Sequence, residues 1–283
     1  MAFGDALVRR IEGFTALDKV AKPVAGLVGK AVQPRAVRNL LSGTYLGHPA
    51  HPMLTDVPIG AWTMSALLDL VGGAKAEPAA DLLVGAGILS AIPTAATGLN
   101  DWSDTIGADR RIGAVHATAN VAALSLYVAS LLARRSGGRG TGKLLGLAGF
   151  GVLVAGAYLG GHLSFAKGVN VNHTFLEYRP QEWTTVLAEA ELGEGELRRV
   201  SAGEASVLLV REDGRIHALA NTCSHAGGPL NEGELADGCV ICPWHGSAFR
   251  LSDGEIVRGP ASTPQPAYET RVRGGKIEVR ALS

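Results

Sequence analysis

Thr222-Cys223-Ser224-His225-Ala226-Gly227-Gly228-Pro229-Leu230 and Cys242-Pro243-Trp244-His245-Gly246-Ser247-Ala248-Phe249 decide how this chain is read. Each stretch sets one thiol and one imidazole on a short loop, spaced C-x-H in the first and C-x-x-H in the second. The glycines and prolines around them suit tight loops whose backbone can approach a bound group closely. Two such loops facing each other offer two sulfur and two nitrogen ligands. That donor set suits a Cys₂His₂ zinc ion as well as a two-iron centre.

The third cysteine of the chain, Cys239, precedes Cys242 by three positions. An odd number of cysteines crowded around two histidines is metal ligation with one left over, not a disulfide framework. Cys239-Val240-Ile241-Cys242 has the form C-x-x-C, but Cys239 reads as a buried structural residue. His217, in a strand before the first loop, reads as a packing or surface residue.

Around these loops the chain is strand-like. Val207-Leu208-Leu209-Val210 and Ile216 to Ala220 flank Asp213-Gly214, a hairpin signal; Asp253-Gly254 repeats it and Gly274-Gly275 joins the last two apolar runs. Residues 183–283 are therefore expected to form a small antiparallel β domain, with 168–182 as a linker.

Upstream the composition changes. Four apolar segments run over 57–73, 82–99, 114–133 and 144–166, near the roughly 17–25 residues that cross a bilayer. They are rich in glycine and alanine, which allow close helix approach in lipid and weaken helices in water. Residues 48–167 are thus expected to be a four-helix transmembrane bundle, making the whole chain an α plus all-β multidomain protein. Residues 1–47 carry Leu7, Ile11 and Phe14 along one helical stripe, an amphipathic helix for docking or for a membrane surface. No apolar core follows Arg9-Arg10, so no export signal is expected. Lys plus Arg (26) balance Asp plus Glu (26), and aromatics make up 5%, which excludes a nucleic-acid surface.

The second domain closely resembles the Rieske family, in its ferredoxin-like branch. The resemblance implies a [2Fe–2S] cluster with Cys223 and Cys242 on the inner iron and His225 and His245 on the outer, redox-active iron. It implies that Gly259-Pro260-Ala261 covers the cluster and that Ser247 is a donor to it. Where the high-potential branch has a disulfide between the loops, this chain has Gly228 and Trp244. Where that branch has a tyrosine, it has Phe249. A lower potential and a reducing compartment are the expectation. Oxygenases of the superfamily carry a large catalytic domain after this one; with the chain ending at Ser283, an electron carrier is expected.

Gly47-His48-Pro49-Ala50-His51-Pro52 and the residues to Gly60 resemble an uncharacterised bacterial family of four-span membrane proteins. Four spans place His48, His51, His116 and His162 on one face, along with the linker. They are candidates for a haem b or quinone site; covalent haem is not expected without C-x-x-C-H. The expectation is an inner-membrane electron-transfer protein with its cluster domain in the cytoplasm, contacting lipid, a redox partner protein and a quinone. A membrane-anchored redox sensor or tether is the alternative.

Overall fold

The computed structural model describes residues 3–282. The chain divides into two compact units. The first comprises residues 1–33 and 50–169, the second residues 34–49 and 170–283.

The first unit is helical: α1 (Phe3–Gly13), α2 (Asp18–Ala31), α4 (Ala50–Val71), α5 (Glu77–Ser103), α6 (Gly107–Arg135) and α7 (Arg139–Phe165). A further helix, α3 (Arg35–Ser42), belongs to the second unit. Helix α4 packs chiefly on α5, and α6 chiefly on α7, so the bundle is two helical hairpins laid together. Among the described residues three helices, where four were expected, are long and apolar enough by composition to cross a membrane: Ala74–Ser103, Gly107–Arg135 and Arg139–Phe165. Helix α4 has the length but carries Asp56 and Asp69, the charges that weaken its hydropathy. Only 17–28% of the most apolar windows of the other three is buried inside the protein. Leu82, Leu89, Ile92, Val121, Leu132 and Leu144 face outward. That much exposed apolar surface suits a lipid environment. Helix α1 docks on the bundle through Val8 and Ile11, which are buried with Ile112, Leu159 and Leu163. Leu7 and Phe14, expected on its apolar stripe, are exposed.

The two hairpins repeat one another. Shifting α4 by 65 positions carries His51 onto His116, Trp62 onto Tyr127, Ser65 onto Ser130 and Asp69 onto Arg134. Shifting α5 by 62 carries Ala80 onto Gly142, Gly87 onto Gly149, Thr94 onto Gly156 and Gly98 onto Gly160. The contacts repeat as well. Ser65 Oγ donates to the Ala80 carbonyl at 3.0 Å, and Ser130 Oγ to the Gly142 carbonyl. Between hairpins the equivalent residues pair with each other: Trp62 stacks on Tyr127 with centroids 4.1 Å apart, and Arg134 bonds Asp69. Residues that meet their own counterparts lie along a pseudo-two-fold axis. A Cβ on Gly87 would meet the Trp62 indole at 2.2 Å, so a glycine is required where that ring lies against α5.

Among its described residues the second unit holds ten strands in two antiparallel sheets: β1 (Thr184–Ala188), β2 (Leu197–Ala202), β3 (Ala205–Glu212), β4 (Arg215–Ala220), β5 (Glu234–Ala236), β6 (Cys239–Ile241), β7 (Ala248–Arg250), β8 (Ile256–Arg258), β9 (Ala267–Arg273) and β10 (Lys276–Ala281). Their orders are β1-β10-β9-β4-β3-β2 and β5-β6-β7-β8. Asp213-Gly214 and Gly274-Gly275 both have positive φ at their two central positions, the primed turns that match strand twist. Asp237-Gly238 makes a third such turn. One face of the larger sheet packs Val207, Leu209 and Ile277. The other face packs Leu208, Val210 and Leu219 with Leu230, Val240, Phe249, Cys223 and Cys242. The paired loops thus rise directly out of a hydrophobic core.

Candidate metal centre

The two loops are built to one plan. In the first, the Cys223 N–H donates to the Gly228 carbonyl at 2.8 Å and the Gly227 N–H returns to the Cys223 carbonyl at 2.9 Å. In the second, the Cys242 N–H donates to the Ser247 carbonyl at 2.8 Å and the Gly246 N–H to the Cys242 carbonyl at 3.0 Å. Both loops turn on a glycine four positions after the cysteine, Gly227 at φ 78° and Gly246 at φ 72°, where a side chain would be strained. Each turn folds amide donors onto its thiol: those of His225 and Ala226 onto Cys223, and those of Trp244 and His245 onto Cys242. Gly228 lets the loops close, because a Cβ there would sit 3.0 Å from the Cys242 sulfur.

The donors meet in pairs. Cys223 and Cys242 are buried and hydrogen-bonded to each other. The contact from Cys223 and the amide donors draw the Cys242 thiol down to about 7, while the same contact and burial push Cys223 up. The His225 and His245 rings lie with centroids 5.1 Å apart, almost perpendicular. Two imidazoles bound at about 2 Å to one tetrahedral metal would stand roughly 5 Å apart. Burial, then the charges of His245, Arg38 and His173, hold His225 down to about 3, in the neutral form that ligation needs. Among the described residues no three His, Cys, Asp or Glu side chains converge on one point. The layout is two pairs, fitting two irons with two protein ligands each better than one zinc ion. The pairs, the amide donors aimed at sulfur and the glycine-permitted closeness of the loops all fit a [2Fe–2S] group.

Ser247 is fully buried. Its Oγ accepts the Ala261 N–H at 3.0 Å, tying the second loop to the stretch around Gly259-Pro260. Phe249 is fully buried in the core.

Several neighbours carry no signal legible in the sequence. Helix α3 and the turn after it lie against the Gly259 stretch: Asn39 Oδ1 accepts the Gly259 N–H at 2.8 Å and Arg35 Nε donates to the Val257 carbonyl at 2.9 Å, while Thr44 Oγ1, just past the helix, donates to the Ala261 carbonyl at 2.9 Å. The same helix buries Arg38, whose charge reaches His225. His173 donates its backbone N–H to the Ser224 carbonyl at 3.0 Å. Gln265 donates to the Ala220 and Thr222 carbonyls and accepts the Ser224 N–H, bracing the first loop from behind.

The membrane-domain histidines do not form one cluster. His51 and His116 meet, with ring centroids 6.5 Å apart. His48 is exposed and belongs to the second unit. His162 stands beside the Glu12–Lys167 ion pair. Gly156 and Gly160 bring one face of α7 against His116, and His162, two positions past Gly160, points about 200° away from that face.

Comparison with known proteins accords with this geometry. Residues 182–269 match the Rieske [2Fe-2S] domain family, and residues 47–173 match the family described as Predicted membrane protein (DUF2231). Ferredoxin CarAc of Metapseudomonas resinovorans is 32% identical over 100 residues, 35% of this chain and 94% of that protein. The ferredoxin component of the alkene monooxygenase system of Xanthobacter autotrophicus (strain ATCC BAA-1158 / Py2) is 35% identical over 97 residues, 34% of this chain and 79% of that protein. Apoptosis-inducing factor 3 of Mus musculus is 37% identical over 97 residues, but the chain spans only 16% of its length. With a ferredoxin matched over nearly its whole length, and paired Cys–His loops closed by one hydrogen-bond plan, the chain belongs to the Rieske [2Fe–2S] family.

Proposed function

We propose that this protein is a membrane-anchored one-electron carrier. Its [2Fe–2S] group is held by Cys223 and Cys242 on one iron and His225 and His245 on the other, and it exchanges electrons with a protein partner. The observation that carries the reading is the pairing of two thiols and two imidazoles on loops with the same closure. The group supplies one-electron chemistry. The chain's residues set its terms. Amide donors on each thiol favour thiolate, and the buried core beneath the loops excludes water from the sulfur side. Trp244, more than half exposed beside His245, presents the imidazole side to a partner. The relative named as the ferredoxin component of an alkene monooxygenase system supports a protein partner. The apolar helices of the first unit support the membrane anchor.

Phe249 offers no hydroxyl, and Gly228 and Trp244 offer no disulfide between the loops. The midpoint potential is therefore expected toward the low end of the roughly −150 to +300 mV Rieske range. Potentiometric titration of the purified chain checks this. One electron taken up per chain with a low midpoint supports the reading. A midpoint above about +200 mV, within that same range, or zinc in place of iron and sulfide, rejects it.

The cluster domain is placed in the cytoplasm. Gly228 and Trp244 stand where the high-potential branch has its disulfide, and a chain without that bond suits a reducing compartment. A green fluorescent protein fused after Ser283 is expected to fluoresce, and an alkaline phosphatase fused there to stay inactive. An active phosphatase would put the domain on the other side.

A further inference from the structure

We infer that the helical unit binds a b-type haem whose iron is held axially by His51 and His116. The inference concerns a site of its own and rests on the electron-carrier reading only in expecting one-electron chemistry there.

The two histidines are counterparts in the internal repeat, one from each hairpin, facing each other on the pseudo-two-fold axis. Their surroundings are repeated as well. His51 Nδ1 bonds the Thr94 carbonyl at 2.9 Å, and His116 Nδ1 bonds the Gly156 carbonyl at 2.8 Å. Thr94 and Gly156 are themselves counterparts. A carbonyl can only accept, so Nδ1 carries the proton in both rings and Nε2 keeps its lone pair. This is how protein-bound metals have their histidine ligands oriented. Four positions beyond each carbonyl comes a glycine. A Cβ on Gly98 would meet His51 Cε1 at 2.7 Å, and one on Gly160 would meet His116 Cε1 at 2.9 Å. Both neighbouring helices are thus cut back to seat an imidazole.

Distance and ligand count select the class of group. Two imidazoles bound trans to one metal at about 2 Å would have centroids roughly 6 Å apart, against about 5 Å for a tetrahedral pair. The observed 6.5 Å and interplanar 88° suit the trans case, and the 5.1 Å of His225 and His245 suits the tetrahedral one. Among the described residues no third His, Cys, Asp or Glu joins His51 and His116. A bare ion would lack ligands there, whereas a tetrapyrrole iron brings four nitrogens and asks the protein for two. The group would enter at the seam between hairpins, the more thinly packed side of the bundle. The Asn120 amide, 3.1 Å from His116 Nε2, would swing aside; its Nδ2 also has the His116 carbonyl at 2.9 Å.

The test is full-length protein purified in detergent, as isolated and after titration with haemin. Expected are a Soret band, split visible bands on reduction, and about one pyridine-extractable haem per chain. His51→Ala and His116→Ala should each lose the low-spin spectrum while eluting as the wild type does, and added imidazole should restore it. Acid-labile sulfide, measured on the same samples, reports the iron–sulfur centre separately, so the two readings fail independently. Wild-type protein that takes up no haem overturns the inference without any variant. So do histidine variants that keep the low-spin spectrum, or a quinone extracted from the protein in place of haem.

Discussion

Replacing Cys223 by serine is expected to abolish the low-temperature EPR signal of the dithionite-reduced protein, with loss of iron and acid-labile sulfide; replacing His245 by alanine should do the same. Serine is close in size to cysteine but binds iron far less well than a thiolate. Cys223 is 1% exposed and packs with Leu230 and Phe249, so it leaves no room for water to stand in. Without His245 one iron of the proposed group would keep a single protein ligand. The control is Cys239→Ser. Cys239 opens β6 with its thiol 3.6 Å from the Asp237 carbonyl, and burial raises its pKa. It should leave the signal intact. The C-x-x-C formed with Cys242 then carries no ligand role. A Cys223→Ser protein with an unchanged signal, or a Cys239→Ser protein without one, sinks the assignment.

The second large effect concerns the helical unit, at the end of the bundle where α4 and α6 finish. Arg134, completely buried as a side chain, bonds Asp69, itself 3% exposed, and reaches Asp81 at 2.9 Å. Arg139 joins both carboxylates, and Lys143 and Arg139 reach Glu77. Three acids and three bases close the ends of four helices without a surplus charge. Removing one partner of a buried pair leaves the other uncompensated and costs about 3–5 kcal/mol. Arg134→Leu is therefore expected to lower the unfolding temperature in detergent sharply. Asp69→Asn combined with Arg134→Leu should be less damaging than Arg134→Leu alone, because the network is then left with two acids and two bases in place of a surplus acid. Equal unfolding temperatures for wild type and Arg134→Leu would show the network to be dispensable.

The charge network shows where sequence reading reached its limit. In the sequence Asp69 is a lone charge inside an apolar segment. Its partner lies 65 positions away, and no local pattern links them. The repeat joining Asp69 to Arg134 was equally hard to see. The counterparts differ chemically, Trp62 with Tyr127 and Thr94 with Gly156, and the two hairpins need different offsets. Only the equivalence of their contacts exposes it. By contrast Asp213-Gly214 and Gly274-Gly275 were legible as turns, since positive φ at two consecutive positions is a local demand that few residues meet. Asp237-Gly238 carried the same signal and went unread beside three-residue strands. Arg38 and Asn39 were invisible as neighbours of the cluster loops, because a helix of eight residues far upstream says nothing about which sheet it covers.

The sequence by itself determined the donor types and their spacing, the two-part character of the chain and the apolarity of its helices. Those properties follow from side-chain chemistry and from periods of a few residues. Only the tertiary structure decided which histidines meet and that 34–49 belongs with the β unit. Imidazoles are brought together by the rotation of each helix about its own axis, where two positions in the chain turn a side chain by about 200°. That rotation is set by packing between segments far apart in the chain.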